Sequence, residues 1–200
     1  LAGMVIQKIT GKTVAQEMNT RLLGAENLNL LNTYYSEKPY NKAVMARLVD
    51  GYNGDSHLGN VTNPNLSWAG AAGAIISNPR DIVRWVRALF SDNVLEAVQL
   101  KEMESLVCVP GVSKLSCVAG QPVANDVGGF GLGLTEMSRA PFGDFWRFQG
   151  DSLGYTTQYF YIPKFDLVII VSINNKDEKN NDPLSHLMYK IVDILQSNKD

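Results

Sequence analysis

The composition of this 200-residue sequence is that of an ordinary globular protein, with 45% hydrophobic and 19% charged residues. Its 18 basic and 20 acidic side chains leave a formal charge of −2, which gives no electrostatic reason to bind nucleic acid. No apolar run approaches the roughly 20 residues that a membrane-spanning helix needs. The length suffices to bury a core without a metal, so we expect one domain, or one domain with an added lobe.

The first part of the chain carries helical signals. Its apolar residues recur at helical spacing, at Leu1, Met4, Val5 and Ile9. Gly11 should end this helix, and the capping-box pair Thr13 and Gln16 predicts a second helix over Val14 to Leu23. Because no capping residue precedes Leu1, we expect the sequence to start inside a fold.

The middle of the chain is polar from Gly24 to Ser67, which predicts a surface connection with one short helix at Ala43 to Val49. Asn78 as N-cap, followed by Pro79 at the first helical position, predicts a helix that runs to Phe90. A further helix is expected over Val94 to Leu106.

The last third is rich in strand patterns. Four strands are predicted, at Phe130 to Thr135, Phe145 to Gln149, Thr156 to Ile162 and Leu167 to Asn174. Asp182 and Pro183 then open an amphipathic helix at the end of the chain. This order of elements predicts an α+β fold, with helices laid on an antiparallel sheet.

The two cysteines, Cys108 and Cys117, flank a Pro110-Gly111 turn. A disulfide between them would stabilise the fold by about 2–3 kcal/mol in the loop-entropy model. Two buried free thiols fit the sequence equally well, so the pairing stays open at this point.

Ser152 lies in Gly150-Asp151-Ser152-Leu153-Gly154, which matches the G-x-S-x-G nucleophile elbow. The elbow needs a helix directly after the serine, whereas Tyr155 to Tyr161 is a strand pattern. Asp182 and His186 follow in the order of a catalytic triad, but only 34 residues separate Ser152 from His186, too few for the alternating strands and helices that the fold requires. We therefore expect a glycine-containing turn here, with a Ser152 hydrolase as the weakest of three functional hypotheses.

Three other motifs favour structural explanations. Ser91-Asp92-Asn93 spells a β-lactamase triplet, but it follows a helix where loop residues are expected. The glycine-rich segment Gly128 to Gly133 is followed by a strand pattern, whereas a phosphate-binding loop needs a helix directly after it. We therefore expect these glycines to allow close approach of backbones in a sheet. With only His57 and His186 as histidines, and no ligand cluster, we expect no metal site and no cofactor.

Five segments in chain order resemble the serine β-lactamase-related family of class C β-lactamases, D-alanyl-D-alanine carboxypeptidases and related esterases. They are Leu1 to Ala15, Asn29 to Tyr35, Ala72 to Ile82, Phe130 to Leu134 and Phe148 to Tyr155. The resemblance implies an antiparallel sheet flanked by helices with a helical lobe, and acyl transfer in the cleft between them. It further implies that residues 1–200 form the C-terminal portion of one such domain. Residues 1–127 would be mainly helical lobe and loops, and residues 128–200 would supply sheet strands and the last helix.

The sequence departs from the family at the nucleophile. The family uses a serine with a lysine three positions later, and a tyrosine in a Y-x-N motif for proton transfer. No serine in this sequence has lysine at that position, and no tyrosine is followed two places on by asparagine. The nucleophile and base are therefore not in this chain, and we expect the chain to be inactive by itself.

The third family motif is altered. Phe148 stands where the family has lysine, histidine or tryptophan, followed by Gln149 and a retained Gly150. The resemblance makes these three residues candidate substrate-binding residues, and the backbone N–H of Asp151 a candidate oxyanion donor. Arg147 cannot replace the cation, because neighbouring side chains on a strand point to opposite faces. Loss of the cation favours esters over substrates with a carboxylate.

Three hypotheses follow for the function. The first is the C-terminal part of an acyl-serine hydrolase acting on an ester, a D-alanyl peptide or a β-lactam, and the second is a non-catalytic binding or structural relative. The third is the Ser152 hydrolase. The resemblance places the protein in the periplasm or outside the cell, with no transmembrane segment. Because part of the sheet would lie uncovered, we expect the chain to associate with a second copy or with a retained N-terminal fragment.

Overall fold

The computed structural model has helices at both ends of the chain and consecutive strands between residues 129 and 173. It describes residues 1–24, 28–54, 59–63, 65–91, 94–110, 117–123, 128–140, 142–176 and 183–197. Residue contacts divide the chain into two units, each described by itself below. The first comprises Leu1–Trp85, Asp151–Tyr155 and Asn174–Asp177, and the second comprises Val86–Gly150, Thr156–Ile173 and Glu178–Asp200.

The two predicted N-terminal helices are present. Helix α1 covers Ala2–Thr10 and ends at Gly11, whose left-handed backbone (φ 69°) donates its N–H to the carbonyl of Gln7. Helix α2 covers Val14–Met18, and both hydrogen bonds of the predicted Thr13–Gln16 capping box are formed. A wider π-helical turn, Asn19–Leu23, completes the segment predicted as helix.

Two of the predicted helices are shorter than expected. Helix α3 covers only Lys42–Met45, because the N–H groups of Arg47 and Leu48 bond to carbonyls three residues back and tighten the chain into turns. Helix α5 covers Ala97–Met103. It cannot extend to Leu106, because the backbone just after it turns to bridge residues 107 and 130.

Helix α4 covers Pro79–Leu89 and begins as predicted, with the Asn78 side chain accepting the N–H of Asp81 at 2.9 Å. The first unit also contains short strands. Strands β1 (Tyr34–Tyr35) and β4 (Ile75–Ile76) pair antiparallel. A second small sheet joins β2 (Tyr52–Asn53) to β3 (Gly59–Asn60) and to β10 (Asn175–Lys176). The polar middle segment therefore has more strand pairing than the sequence predicts.

The main sheet lies in the second part of the chain, and its strands are neighbours in chain order. They are β5 (Gly129–Phe130), β6 (Thr135–Arg139), β7 (Gly143–Asp151), β8 (Thr156–Ile162) and β9 (Leu167–Ile173). The strand pairs β5–β6, β6–β7 and β8–β9 are antiparallel. The α+β class with an antiparallel sheet is thus confirmed.

The single strand predicted over Phe130 to Thr135 is wrong. The chain turns between β5 and β6, where Gly131 donates to the carbonyl of Leu134 at 2.8 Å and Gly133 has a φ of 84°. A glycine in the left-handed region reverses the chain where a side chain would resist it. The expected close backbone approach is confirmed at Gly129, where an added Cβ would lie 2.5 Å from the carbonyl oxygen of Val107.

Each unit has its own buried cluster. In the first unit Val14, Tyr35 and Ala74 are buried together. In the second unit, helix α6 (Pro183–Ser197) packs its inner face on the sheet. The buried residues of that core are Phe142, Phe145, Phe160, Ile162, Ile169, Met188 and Val192. The amphipathic pattern predicted for the last helix is confirmed, while its proposed cap, Asp182, lies outside the described residues.

Candidate functional site

The end of strand β7 holds the residues that the sequence identifies as candidate site residues. Alternation along the strand places Phe148 on the same face as Trp146. The Phe148 ring lies 6.4 Å from that of Tyr159 on β8, and 41% of the Phe148 side chain is exposed. An added Cβ on Gly150 would meet nothing within 4 Å. This face therefore offers an aromatic surface beside open space.

Gln149 lies on the opposite face of β7. Its Oε1 accepts hydrogen bonds from Arg147 and from the fully buried Gln158, each at 3.1 Å. The hydroxyl of Ser185 on α6 donates to Oε1 of Gln158 at 3.1 Å. The structure thus separates Gln149 from Phe148, and it places the Arg147 cation on the face that the strand alternation predicts.

Tyr159 is the aromatic neighbour of Phe148 that sequence reasoning missed. Burial raises the pKa of Tyr159 above its ordinary value of 10.0, so the phenol is neutral at physiological pH. Tyr159 could have been found from the strand period, since it lies in the predicted strand Thr156 to Ile162. What the sequence lacks is the register that brings two particular strands together.

The turn after β7 begins at Asp151. The N–H of Ser152 donates to the carbonyl of Tyr155 at 2.9 Å, which closes the turn. The Tyr155 hydroxyl donates to the carbonyl of Val49 at 2.6 Å. Gly154 is pressed against the backbone of Gly51, where an added Cβ would lie 2.7 Å from the Gly51 carbonyl carbon. The glycine at this position is therefore required for packing.

The nucleophile-elbow hypothesis for Ser152 is wrong. Strand β8 begins at Thr156, directly after the turn, and no helix follows the serine. His186 is an exposed residue of α6, and Asp182 lies outside the described residues. The strained strand-to-helix geometry that exposes a nucleophilic serine is therefore missing at this turn.

The structure describes only some of the remaining sequence candidates. Ser91 follows the end of α4, while Asp92, Asn93 and His57 lie outside the described residues. Across the described part of the chain, no three histidine, cysteine or acidic side chains are grouped as metal ligands. The same residues include no helix long and apolar enough to cross a membrane.

A disulfide joins Cys108 and Cys117, whose Cα atoms are 6.0 Å apart. Cys108 is buried. Backbone hydrogen bonds continue beside the bridge, because Cys108 donates its N–H to Gln121 and accepts that of Gly120. The crosslink therefore joins two backbone segments that hydrogen bonds also hold together.

Comparison with known proteins gives a family and a fold. The beta-lactamase family model matches residues 1–191. The D-amino acid amidase from Ochrobactrum anthropi SV3, complexed with L-phenylalanine amide, is 24% identical with a TM-score of 0.72, and the match covers 99% of this chain and 54% of that one.

Two other solved structures share the fold. A D-stereospecific amidohydrolase from Streptomyces sp. is 24% identical over 87% of this chain and 47% of its own, with a TM-score of 0.67. A beta-lactamase/D-alanine carboxypeptidase from Yersinia pestis, complexed with citrate, is 18% identical, with a TM-score of 0.63. That match covers 93% of this chain and 50% of the Yersinia pestis chain. The chain thus spans about half the length of these structures. Since the family model covers nearly all of the sequence, the chain belongs to the beta-lactamase family.

Proposed function

We propose that this chain is the C-terminal portion of a single catalytic domain of a serine hydrolase that works through an acyl-serine intermediate. The substrate is a small ester, a D-alanyl peptide or a β-lactam, and the amidase neighbours add amides of amino acids to these classes. The chain supplies a substrate-facing strand and its surrounding helices. The nucleophilic serine and its lysine belong outside these 200 residues, since no serine here has lysine three positions later.

One observation carries this proposal: the open space beside Gly150 at the end of β7. An acyl group bound along this strand needs a backbone without a side chain, so that its carbonyl oxygen can reach a main-chain N–H. The N–H of Asp151 is the donor that we assign to this role. Donors held in place before the reaction stabilise the negative charge that develops on the oxygen.

Phe148 sets the kind of substrate in this proposal. Its partly exposed ring, next to Tyr159, presents an apolar surface. A cationic side chain at this position would pair with a substrate carboxylate, and the ring cannot. Arg147 is engaged with Gln149 on the other face. We therefore propose a preference for esters and uncharged acyl groups over substrates with a free carboxylate.

The test starts with the coding sequence upstream of Leu1. If S-x-x-K and Y-x-N motifs are encoded there in frame, the polypeptide that contains them should hydrolyse a chromogenic ester and form an acyl adduct visible by mass spectrometry. The 200-residue chain assayed in parallel should do neither. Hydrolysis by the short chain that is lost in Ser152→Ala would contradict the proposal.

Gly150→Ala tests the role of β7 in that longer polypeptide. The added methyl meets no protein atom within 4 Å, so folding should be unchanged. It would occupy the space assigned to the acyl group, and we expect kcat/KM to fall by about 10²-fold, the scale of one lost oxyanion interaction. Ser152→Ala is the matched control and should keep full activity. Equal activity of the Gly150→Ala variant would remove β7 from the site.

A non-catalytic binding or structural relative is the second candidate, and Phe148 is the observation that favours it, because an aromatic ring cannot supply the electrostatic support of a lysine or histidine. Intact upstream motifs together with an acyl adduct would exclude it. Absence of the upstream S-x-x-K and Y-x-N motifs would establish it. So would intact motifs in a polypeptide that forms no acyl adduct with esters, amides, D-alanyl peptides or cephalosporins.

We also propose that the protein works in the periplasm or outside the cell. The Cys108–Cys117 disulfide supports this, because such bonds persist in oxidising compartments. Cell fractionation with thiol labelling tests it. Recovery from the cytoplasm with both thiols free would contradict the proposal.

A further inference from the structure

Gln158, on strand β8, has a polar side chain with no exposed surface. Its Nε2 donates to Oε1 of Gln149 on β7 at 3.1 Å, and its Oε1 accepts from the hydroxyl of Ser185 on α6 at 3.1 Å. Ser185 is itself buried. A buried amide has lost its hydrogen bonds to water, so these two contacts fix the direction in which the amide points. Gln158 therefore donates toward β7 and accepts from α6.

Gln149 is fixed by two donors. Besides the bond from Gln158, its Oε1 accepts a hydrogen bond from the Arg147 guanidinium at 3.1 Å. Arg147 also donates to Sδ of Met137 on β6 at 3.5 Å. A carbonyl oxygen has two lone pairs, and both are used here. We name four side chains the Gln158 network: Arg147, Gln149, Gln158 and Ser185.

The Gln158 network adjoins the part of β7 that extends past its ladder with β6. Among the described residues, that ladder ends with the pair Thr135–Arg147, whereas β7 continues to Asp151. Because side chains alternate along a strand, Gln149 points into the network while the neighbouring Gly150 belongs to the other face. Gln149 therefore ties this end of β7 to β8 and α6.

Farther along β8, the residues on the same face as Gln158 are apolar. Phe160 and Ile162 are both fully buried in the core that the sheet forms with α6. An apolar side chain at position 158 would suit that core without needing hydrogen-bond partners. Gln158 is the third residue of a strand that begins directly after the turn from β7. The buried amide thus lies at the end of the core next to the candidate site.

We propose that Gln158 is a positioning residue for the candidate site. Acting through Gln149, it holds the end of β7 so that the N–H of Asp151 keeps the geometry that acyl transfer needs. This inference rests on the proposed function. Catalytic groups must be held within about 0.5 Å of their productive positions, and a displacement of about 1 Å can lower a rate about 10²-fold. Gln149 then acts on the site through the backbone of β7, without touching the substrate.

Hydrogen exchange of the 200-residue chain is the first test. Gln158→Met keeps the length of the side chain and removes both hydrogen bonds. We expect the protected amides among residues 148–151 to exchange at least about tenfold faster, while those of β9 keep their rates. Thr157→Val is the matched control, because it removes a hydrogen bond from the same strand to Ser172, on the face away from the network. It should leave the end of β7 unchanged.

Gln149→Met is the second variant and should speed exchange at the same amides by a similar factor. Because Gln158 acts through Gln149, the double variant should exchange no more than about twofold faster than either single variant. Circular dichroism shows which variants fold, and Gln149→Met carries the test if Gln158→Met does not. Unchanged exchange at the end of β7 in a folded variant would overturn the inference.

The second readout is the kinetics of the longer polypeptide that contains the upstream motifs. Here kcat is expressed per serine that can be acylated, measured by mass spectrometry, so that a loss of folded protein does not lower it. Gln158→Met should lower kcat for a chromogenic ester at least about tenfold and change KM by less than about twofold, because a misplaced oxyanion donor weakens binding of the transition state alone. Thr157→Val should keep both constants.

The two proposals fail in different ways. An active longer polypeptide whose kcat is unchanged by Gln158→Met would overturn this inference and leave the proposed function intact. A longer polypeptide that forms no acyl adduct in its unmodified form would overturn the proposed function, and this inference with it.

Discussion

Asp81 is a buried carboxylate that links distant parts of the first unit. It is 1% exposed and accepts the N–H of Asn32 at 2.7 Å and the hydroxyl of Thr33 at 3.1 Å. Arg84 lies 3.4 Å from its other oxygen and also donates to the carbonyl of Asn29. One side chain thus orders the backbone that leads into β1.

We expect Asp81→Ala to lower the free energy of unfolding by about 2–3 kcal/mol, because it removes the buried carboxylate that accepts hydrogen bonds from the part-buried Asn32 and Thr33. Urea denaturation followed by circular dichroism measures this. Arg80→Ala, at an exposed position next to it, should stay within about 0.5 kcal/mol of the unmodified chain. Equal midpoints for the two variants would show that the Asp81 network is dispensable.

Glu17 is held between two basic side chains. It bonds to Arg21 and lies 3.4 Å from Lys12. The hydrogen bond from Arg21 is the main cause that lowers the pKa of Glu17 below its ordinary value of 4.5. A carboxyl with a lowered folded-state pKa stabilises the fold at pH values above the ordinary pKa of the group. This contribution is lost as the pH falls from that value through the lowered folded-state pKa.

Glu17→Gln should therefore reduce stability at neutral pH, and the difference from the unmodified chain should shrink as the pH falls from neutral through the ordinary pKa of 4.5 and on through the lowered folded-state pKa. Urea midpoints across this range test the prediction. Glu102→Gln, on an exposed face of α5, serves as the control. A Glu17→Gln difference that stays constant with pH would contradict the assigned ion pairs.

At the scale of single elements, local signals define the ends of several helices. The caps at Thr13 and Asn78 and the terminator Gly11 all act as the sequence predicts, because each works through groups within four residues. The ends of α3 and α5 were less predictable. Helix α3 ends in hydrogen-bonded turns, and α5 ends before the bridge between residues 107 and 130. No local sequence pattern predicts either of these features.

The disulfide beside β5 provides the element-scale prediction. Replacing both cysteines, as Cys108→Ala with Cys117→Ala, should lower the free energy of unfolding by about 2–3 kcal/mol, because the crosslink no longer restricts the unfolded chain. The measurement is the urea midpoint with and without reductant. Reductant should destabilise the unmodified chain and leave the double variant unchanged. A reductant effect on the double variant would argue for another cause.

At the scale of the whole molecule, the core of the second unit depends on one aromatic cluster. The Phe160 ring is fully buried and lies 4.7 Å from that of Phe145 and 5.3 Å from that of Tyr189. These rings connect the sheet to α6. Their removal should therefore affect the sheet and the helix together.

Phe160→Ala should lower the free energy of unfolding by about 3–5 kcal/mol, which is the usual loss when a buried phenylalanine is replaced and leaves a cavity. Leu153→Ala is the control, since Leu153 is a large apolar residue with more than half of its surface exposed, and it should cost less than about 0.5 kcal/mol. Thermal unfolding followed by near-ultraviolet circular dichroism measures both. If Phe160→Ala lowers the stability as little as Leu153→Ala does, the aromatic cluster does not hold this unit together.

The sequence by itself determined the α+β class, the caps of α1, α2 and α4, strands β8 and β9, and the position of Phe148 on a strand. These features follow from periodicity and capping, which act over a few residues. Only the tertiary structure decided that Gln149 bonds to Gln158 while Phe148 meets Tyr159, that Gly133 reverses the chain, and that Cys108 pairs with Cys117. Asp81 shows the physical reason, because its partner Asn32 lies 49 residues away in sequence. Contacts at that separation exist only once strand register and helix packing bring the residues together.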